Sequence, residues 1–255
     1  MRIERKAGAG AAVLGSLLLV VSGTVPALAR SGPSAGFDQS SGLRFAEVAN
    51  ATSTAFGGWA FFPKGAKSVT VEFKMPTLKC TSATSGIAAV TELFTGSSSS
   101  PKFNAAGVGM QCSGGSPAAA AAVVVDGTQT SSTHVLHVGD LMKSTVVTSA
   151  TKTTATIADL TKGHTFTFTK SGKGAASLQE QIGDIPLVSS TGKQLPVVNF
   201  GKISFSAGAV GGKALGSVSP SEAVNMQTSK KVLQILTSAI SGTGKNAFTT
   251  TWKHS

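Results

Sequence analysis

The sequence predicts an all-β protein, a sandwich or a barrel, and three observations carry that reading. Apolar and polar residues alternate with period two in several stretches, as half-buried strands require. Clusters of Gly, Ser, Pro and Asp punctuate the chain at short intervals. The one helical-looking piece, Val232-Leu-Gln-Ile-Leu236, is too short to make a helix of its own and is flanked by strand signals, so it reads as a strand. At 255 residues, 41% hydrophobic and 13% charged, the chain can build a core, which excludes wholesale disorder.

Taken in order, the chain opens on Arg2, Arg5 and Lys6, an apolar run from Ala11 to Val21, then Pro26 and Ala27-Leu-Ala29. A basic start, a short apolar core and a small-x-small end spell a secretory signal peptide over 1–29, with cleavage after Ala29. The apolar core is short for a membrane span. Residues 30–55 are rich in Gly, Ser, Ala and Thr and read as a loose leader or first strand. The remainder, 56–255, reads as one domain. Val69, Val71, Phe73 and Met75 alternate with Thr70, Glu72 and Lys74. Phe166 and Phe168 alternate with threonines, and Ile203 and Phe205 with Lys202, Ser204 and Ser206. Ala118–Val125 is a continuous apolar run; its three valines and the Asp126-Gly127 turn favour a buried strand over a helix.

Composition narrows function. The formal charge is +11, from 22 Lys+Arg against 11 Asp+Glu, and there is no Tyr. Removal of 1–29 leaves 19 basic and 10 acidic side chains, net +9. The basic residues are mostly scattered lysines with few aromatics between them, which argues against nucleic acid. Attraction to anionic cell-wall polymers fits the charge better. Export favours a disulfide between the two cysteines, Cys80 and Cys112. Two cysteines and four dispersed histidines make no zinc site, and His134 and His137, three apart on a strand, would face opposite ways. No phosphate loop, His-Glu-x-x-His or Gly-x-Ser-x-Gly motif occurs. No metal or cofactor is expected.

Few acidic residues are left to do chemistry. Glu72, Asp126 and Asp159 have structural explanations in a strand face and two turns. Glu92, Glu180 and Asp184 sit in apolar or mixed strand segments. In Leu178-Gln-Glu-Gln-Ile-Gly-Asp184 an unbroken strand puts Glu180 and Asp184 on one face, either as solvated charges or as a pair with split pKa values.

An ordered set of pieces then resembles the eqolisins, the secreted glutamic peptidases of the A4/G1 group. They are Gly58-Trp59-Ala60, Gly107 with Cys112, Val138-Gly-Asp140, Asp159-Leu-Thr-Lys-Gly163, Pro196-Val-Val-Asn-Phe-Gly201 with Ile203-Ser-Phe205, and Ala247-Phe-Thr-Thr-Thr-Trp252. The resemblance implies a double-sheet antiparallel β-sandwich, concanavalin-like, and acid endopeptidase chemistry. In that chemistry a glutamate acts on a water and a glutamine steadies the tetrahedral oxyanion. It places Ala105 where the glutamine belongs. Anchored on Pro186, it places Asp184 where the glutamate belongs, and a looser register places Glu180 there instead. The strands expected to carry cleft aromatics read Ala88-Ala-Val-Thr-Glu-Leu-Phe94 and Ala118–Val125, without Trp or Tyr.

The sequence therefore favours a secreted, catalytically impaired eqolisin-like protein. It would act as a monomer that binds a polypeptide or an anionic wall polymer, with no membrane attachment after cleavage. The alternatives are an endopeptidase using Asp184 or Glu180 with Gln111 or Gln129 as amide, and a carbohydrate-binding sandwich with Trp59 and Trp252 as platforms. Trp59 and Gln111 are the cleft candidates.

Overall fold

The computed structural model describes residues 51–255 except 64, 98–99, 173–176, 190–192 and 255. The leader at 1–29 and most of the loose segment 30–55 lie outside the described residues. Sixteen strands run through the described chain, with a single 3₁₀ turn at Leu215–Ser217. They begin with β1 (Ala51–Ser53), β2 (Gly57–Phe61), β3 (Ser68–Lys74), β4 (Ser85–Ser97), β5 (Ser100–Ser113), β6 (Ser116–Val125), β7 (Thr128–Ser131) and β8 (Leu141–Thr148). They continue with β9 (Lys152–Asp159), β10 (His164–Ser171), β11 (Ser177–Pro186), β12 (Lys202–Val210), β13 (Lys213–Ala214), β14 (Ser221–Gln227), β15 (Leu233–Thr237) and β16 (Phe248–Trp252). The alternating stretches at 69–74, 166–168 and 203–205 fall in β3, β10 and β12. The alanine–valine run is β6, and the short piece at 233–236 is β15.

Local chemistry sets the hairpins. Asp126 and Gly127 both have positive φ, 49° and 74°, and join Val125 to Thr128 in a two-residue turn that needs this conformation at both positions. Gly114 and Gly115, at 57° and 82°, do the same between Ser113 and Ser116. These two turns hold β5, β6 and β7 in one antiparallel ribbon.

Pairing follows one path, β10-β9-β8-β3-β12-β16-β15-β14-β2-β11-β4-β5-β6-β7. The long sheet folds over itself, so β11 faces β3, β4 and β5 face β8, and β5 and β6 face β9. The core between the layers contains Phe61, Phe73, Ile157, Phe205 and Phe248, all essentially inaccessible. The Phe205 ring lies 4.7 Å from Phe248 and 5.9 Å from Phe73. Two hydroxyls cross the apolar layer. Thr91 on β4 lies 2.6 Å from Ser144 on β8, and Ser144 donates to the Ala106 carbonyl at 2.6 Å.

Cys80 and Cys112 are joined in a disulfide, their Cα atoms 5.4 Å apart, tying the chain ahead of β4 to the end of β5. The segment around His134 and His137 is a loop, not a strand, because its backbone is tied to side chains and turns. His134 stacks on His164 at 4.1 Å and lies 3.2 Å from the Asp159 carboxylate. The backbone N–H of His137 donates to Asp140 at 2.7 Å. Lys162 donates to the same carboxylate at 2.8 Å and holds its pKa below the usual range.

Candidate functional site

Strands β2, β11, β4 and β5 lie side by side, and their register sorts every side chain to one of two faces. On the face turned away from the second layer, one row runs Ala60, Gln181, Glu92, Ala105, Val124, Gln129. Gln181 stands directly opposite Glu92, and Glu92 directly opposite Ala105, so neighbouring side chains start about 5 Å apart. The next row carries Gln179, Phe94 and Phe103, with the two rings 5.5 Å apart. The floor beyond Ala105 is made of small residues, Gly107, Gly109, Ala120 and Ala122.

Glu92 is 3% exposed, while Gln181 is half-buried. Burial pushes the Glu92 carboxyl up to about 8. It is therefore a neutral acid throughout the acid range, able to donate one hydrogen bond but not to act as a base. Beside it Gln181 offers an amide. The pair is a carboxylic acid next to a carboxamide, on the face and in the row where the resemblance puts a glutamine.

The other face is the sandwich interior, and it holds the two carboxyls singled out in the sequence. Glu180 and Asp184 do share a face, as their spacing requires. Between them lies Ile182, opposite Trp59 and Thr91, and Thr91 touches Ser144 of the second layer. Both carboxyls are fully buried, which excludes the solvated-charge alternative. The Ser177 hydroxyl donates to one oxygen of Glu180, and the other oxygen has no partner. Burial raises the Glu180 pKa to about 7, against the opposing hydrogen bond from Ser177. Burial likewise raises Asp184 to about 8, with the Thr250 hydroxyl of β16 as the weak opposing influence. No hydrogen bond of normal geometry reaches either Asp184 oxygen or the Thr250 hydroxyl.

The remaining sequence candidates separate in the same way. Trp59 is an interior residue, 5% exposed, its indole N–H donating to the Ser238 carbonyl at 3.0 Å, so it neither lines a cleft nor offers a platform for a sugar. Gln111 shares the outer face with Ala105. It lies six residues along β5, about 20 Å away, opposite Gly86 and Ala118. Gln129 ends the Glu92 row, two strands beyond Ala105. Gln111 and Gln129 thus stand across the sheet from Asp184 and Glu180. Gln181 was not singled out in the sequence, because only the register of β11 against β4 shows that it meets Glu92. Among the described residues no group of three or more His, Cys, Asp or Glu side chains could hold a metal ion. No described helix is long and apolar enough to cross a membrane.

Comparison with known proteins agrees with this architecture. The sequence has no match among curated proteins. Scytalido-glutamic peptidase, solved with a transition-state analog inhibitor, superposes with a TM-score of 0.63 at 17% identity, over 79% of this chain and 99% of that one. SCP-B, an eqolisin solved with the tripeptide Ala-Ile-His, gives 0.59 at 15% identity over the same shares. Aspergilloglutamic peptidase from Aspergillus niger gives 0.51 at 20% identity, over 66% of this chain and 99% of that one. These likenesses show the double-layered fold. The peptidase A4 family profile matches residues 54–252, nearly the whole of the described chain, and on that match the protein belongs to the peptidase A4 (eqolisin) family.

Proposed function

We propose that this protein is a secreted member of the family that no longer cleaves peptides and works as a binding protein for an extended polypeptide. The observation that carries the reading is the pairing of Ala105 with Glu92. At the position the resemblance gives to the oxyanion-binding glutamine stands a methyl group, and the carboxyl across from it is closed off by burial. Loss of one oxyanion donor typically costs ~10²–10³ in rate. A general base must be ionised at the working pH. Glu92, Glu180 and Asp184 are all held protonated in acid. A face floored by alanine and glycine can still receive a polypeptide, with Gln181 to meet its backbone. The disulfide and the family membership support secretion.

A second reading keeps an acid endopeptidase, and the Glu92–Gln181 juxtaposition favours it, since carboxyl and amide are the two groups the chemistry requires. An endopeptidase built on Asp184 or Glu180 has less support, because Gln111 and Gln129 stand on the other face. The test is an assay of the purified protein on an acid-denatured protein substrate across pH 2–7, with pepstatin present. We expect no turnover. Turnover that disappears in Glu92→Gln would overturn the binding-protein reading in favour of the relocated pair. Turnover that disappears in Asp184→Ala would instead restore the interior carboxyls.

A further inference from the structure

We propose that a second site, sharing no residue with the Glu92 row and independent of how the outer face is read, binds the oxyanion of an acidic polymer. It is a cavity of about 450 Å³ between the β2–β3 connection, the β12–β13 turn and the segment that follows the 3₁₀ turn. Lys67 and Lys213 line it from separate elements, together with Ser68, Ser217 and Ser219. No aspartate or glutamate is among its described lining residues.

Three features point to a ligand rather than to a structural role. Among the described residues neither lysine has a carboxylate within ion-pair distance; the lysine ion pairs there belong to Lys102, Lys143 and Lys162. Lys67 and Lys213 thus bring two exposed ammonium charges to one concavity with no carboxylate of the described residues to offset them, a setting that attracts an anion. The three serine hydroxyls make no side-chain hydrogen bond within the described structure, so each is free to donate to an oxyanion. One interior carboxyl linked to this wall carries no charge in acid. Ser177 reaches the Ala66 carbonyl through its backbone N–H at 3.4 Å and gives its hydroxyl to Glu180, and burial keeps Glu180 neutral in acid.

The chemistry that fits is a phosphate or carboxylate group flanked by polar backbone, as in a phosphate-linked or uronic-acid polymer. The cavity is larger than a single oxyanion needs and so admits the unit that carries it. Scattered lysines elsewhere would draw such a polymer in, and this cavity would seat one of its groups.

Isothermal titration calorimetry on the purified protein tests the site with inorganic phosphate, a polyphosphate chain and polygalacturonate. The Lys67→Gln/Lys213→Gln double variant removes both cavity charges while keeping much of each side chain. The Lys230→Gln/Lys231→Gln double variant removes the same charge from the β14–β15 turn. We expect the cavity variant to weaken binding at least about tenfold and the turn variant less than about twofold, with melting temperatures matched to the parent. Tighter binding of polyphosphate assigns phosphate as the source, and tighter binding of polygalacturonate assigns a uronate; either upholds the site. Equal weakening by both double variants, or no binding of any probe, overturns it.

Discussion

Glu92 on β4 and Gln181 on β11 stand directly opposite each other on the outer face, and Glu92 faces Ala105 on its other side. If this row receives a polypeptide backbone, the half-buried Gln181 amide is its polar contact, because Glu92 beside it is closed off by burial. Gln181→Ala should weaken binding of a fluorescein-labelled, unstructured twelve-residue peptide roughly tenfold at pH 4, the loss of about one well-made hydrogen bond. Glu92→Gln, which keeps shape and donor capacity, should change it less than about threefold. Fluorescence polarisation reads both. An unchanged affinity in Gln181→Ala would remove this row from the binding face.

Stability should be highest in acid. Glu92, Glu180 and Asp184 have pKa values raised by burial to about 8, 7 and 8, whereas in the unfolded chain they titrate near their ordinary values. Between roughly pH 4 and pH 8 the unfolded state therefore releases protons that the folded state retains, so each unit of rising pH destabilises the fold. One unit is worth up to ~1.4 kcal/mol per group. Even a third of the combined maximum, on the order of 4–5 kcal/mol, lowers the melting temperature by roughly 8–20 °C in a domain of this size. Thermal scans at pH 4 and pH 8 should show that fall. Asp184→Asn should flatten it and match the parent most closely at pH 4. A melting temperature that rises with pH would mean that these carboxyls are ionised in the fold.

How much of this was legible beforehand divides along a physical line. Period-two alternation marks β3, β10 and β12, and the Asp126-Gly127 turn marks the β6–β7 hairpin, because these depend on neighbours in sequence. The same parity places Glu180 and Asp184 on one face, but parity says only that two residues agree, never which side is the interior. That choice is made by packing. Ile182, which shares their parity, meets Trp59 and Thr91 and drags both carboxyls inward. The Glu92–Gln181 pair was illegible for a related reason: it exists only through the register of strands far apart in the chain. The family-like pieces Asp159–Gly163 and Val138–Asp140 proved to be turns. The Asp159 carboxylate accepts the N–H groups of Thr161 and Lys162, both at 3.0 Å. Such pieces report scaffold and stay silent about the site.

The disulfide should matter more than its distance from the site suggests. It closes a loop of 32 residues that contains all of β4 and nearly all of β5, the strands carrying Glu92 and Ala105. The chain-entropy relation gives ~3–4 kcal/mol for a loop of that length. Cys80→Ser/Cys112→Ser should therefore melt roughly 6–16 °C below the parent. Cys112→Ser alone should be no more stable than the double variant, because Cys112 is fully buried and its serine would place a hydroxyl in the core. A double variant that melts with the parent would show that the hairpin holds itself.

Gly183 sets the closeness of β2 to β11 and with it the position of the whole row. A Cβ at Gly183 would lie 2.2 Å from the Gly57 carbonyl oxygen and 2.7 Å from the Gly58 Cα. A Cβ at Gly58 would in turn lie 2.2 Å from the Ile182 carbonyl. The obstructing atoms are backbone, so no rotamer change relieves them, and the two strands must move apart. Gly183→Ala should then cost at least about 3 kcal/mol, more than an ordinary core overpacking. It should also disturb the ladder between Gln181 and Ala60. Hydrogen exchange on β2 and β11 should show faster exchange there than on β8 and β9, which do not share the contact. Gly139→Ala is the matched control, since a Cβ there meets open space and only its φ of 87° is strained. Equal losses in the two variants would mean that backbone strain, not the close approach of β2 and β11, fixes this part of the sheet.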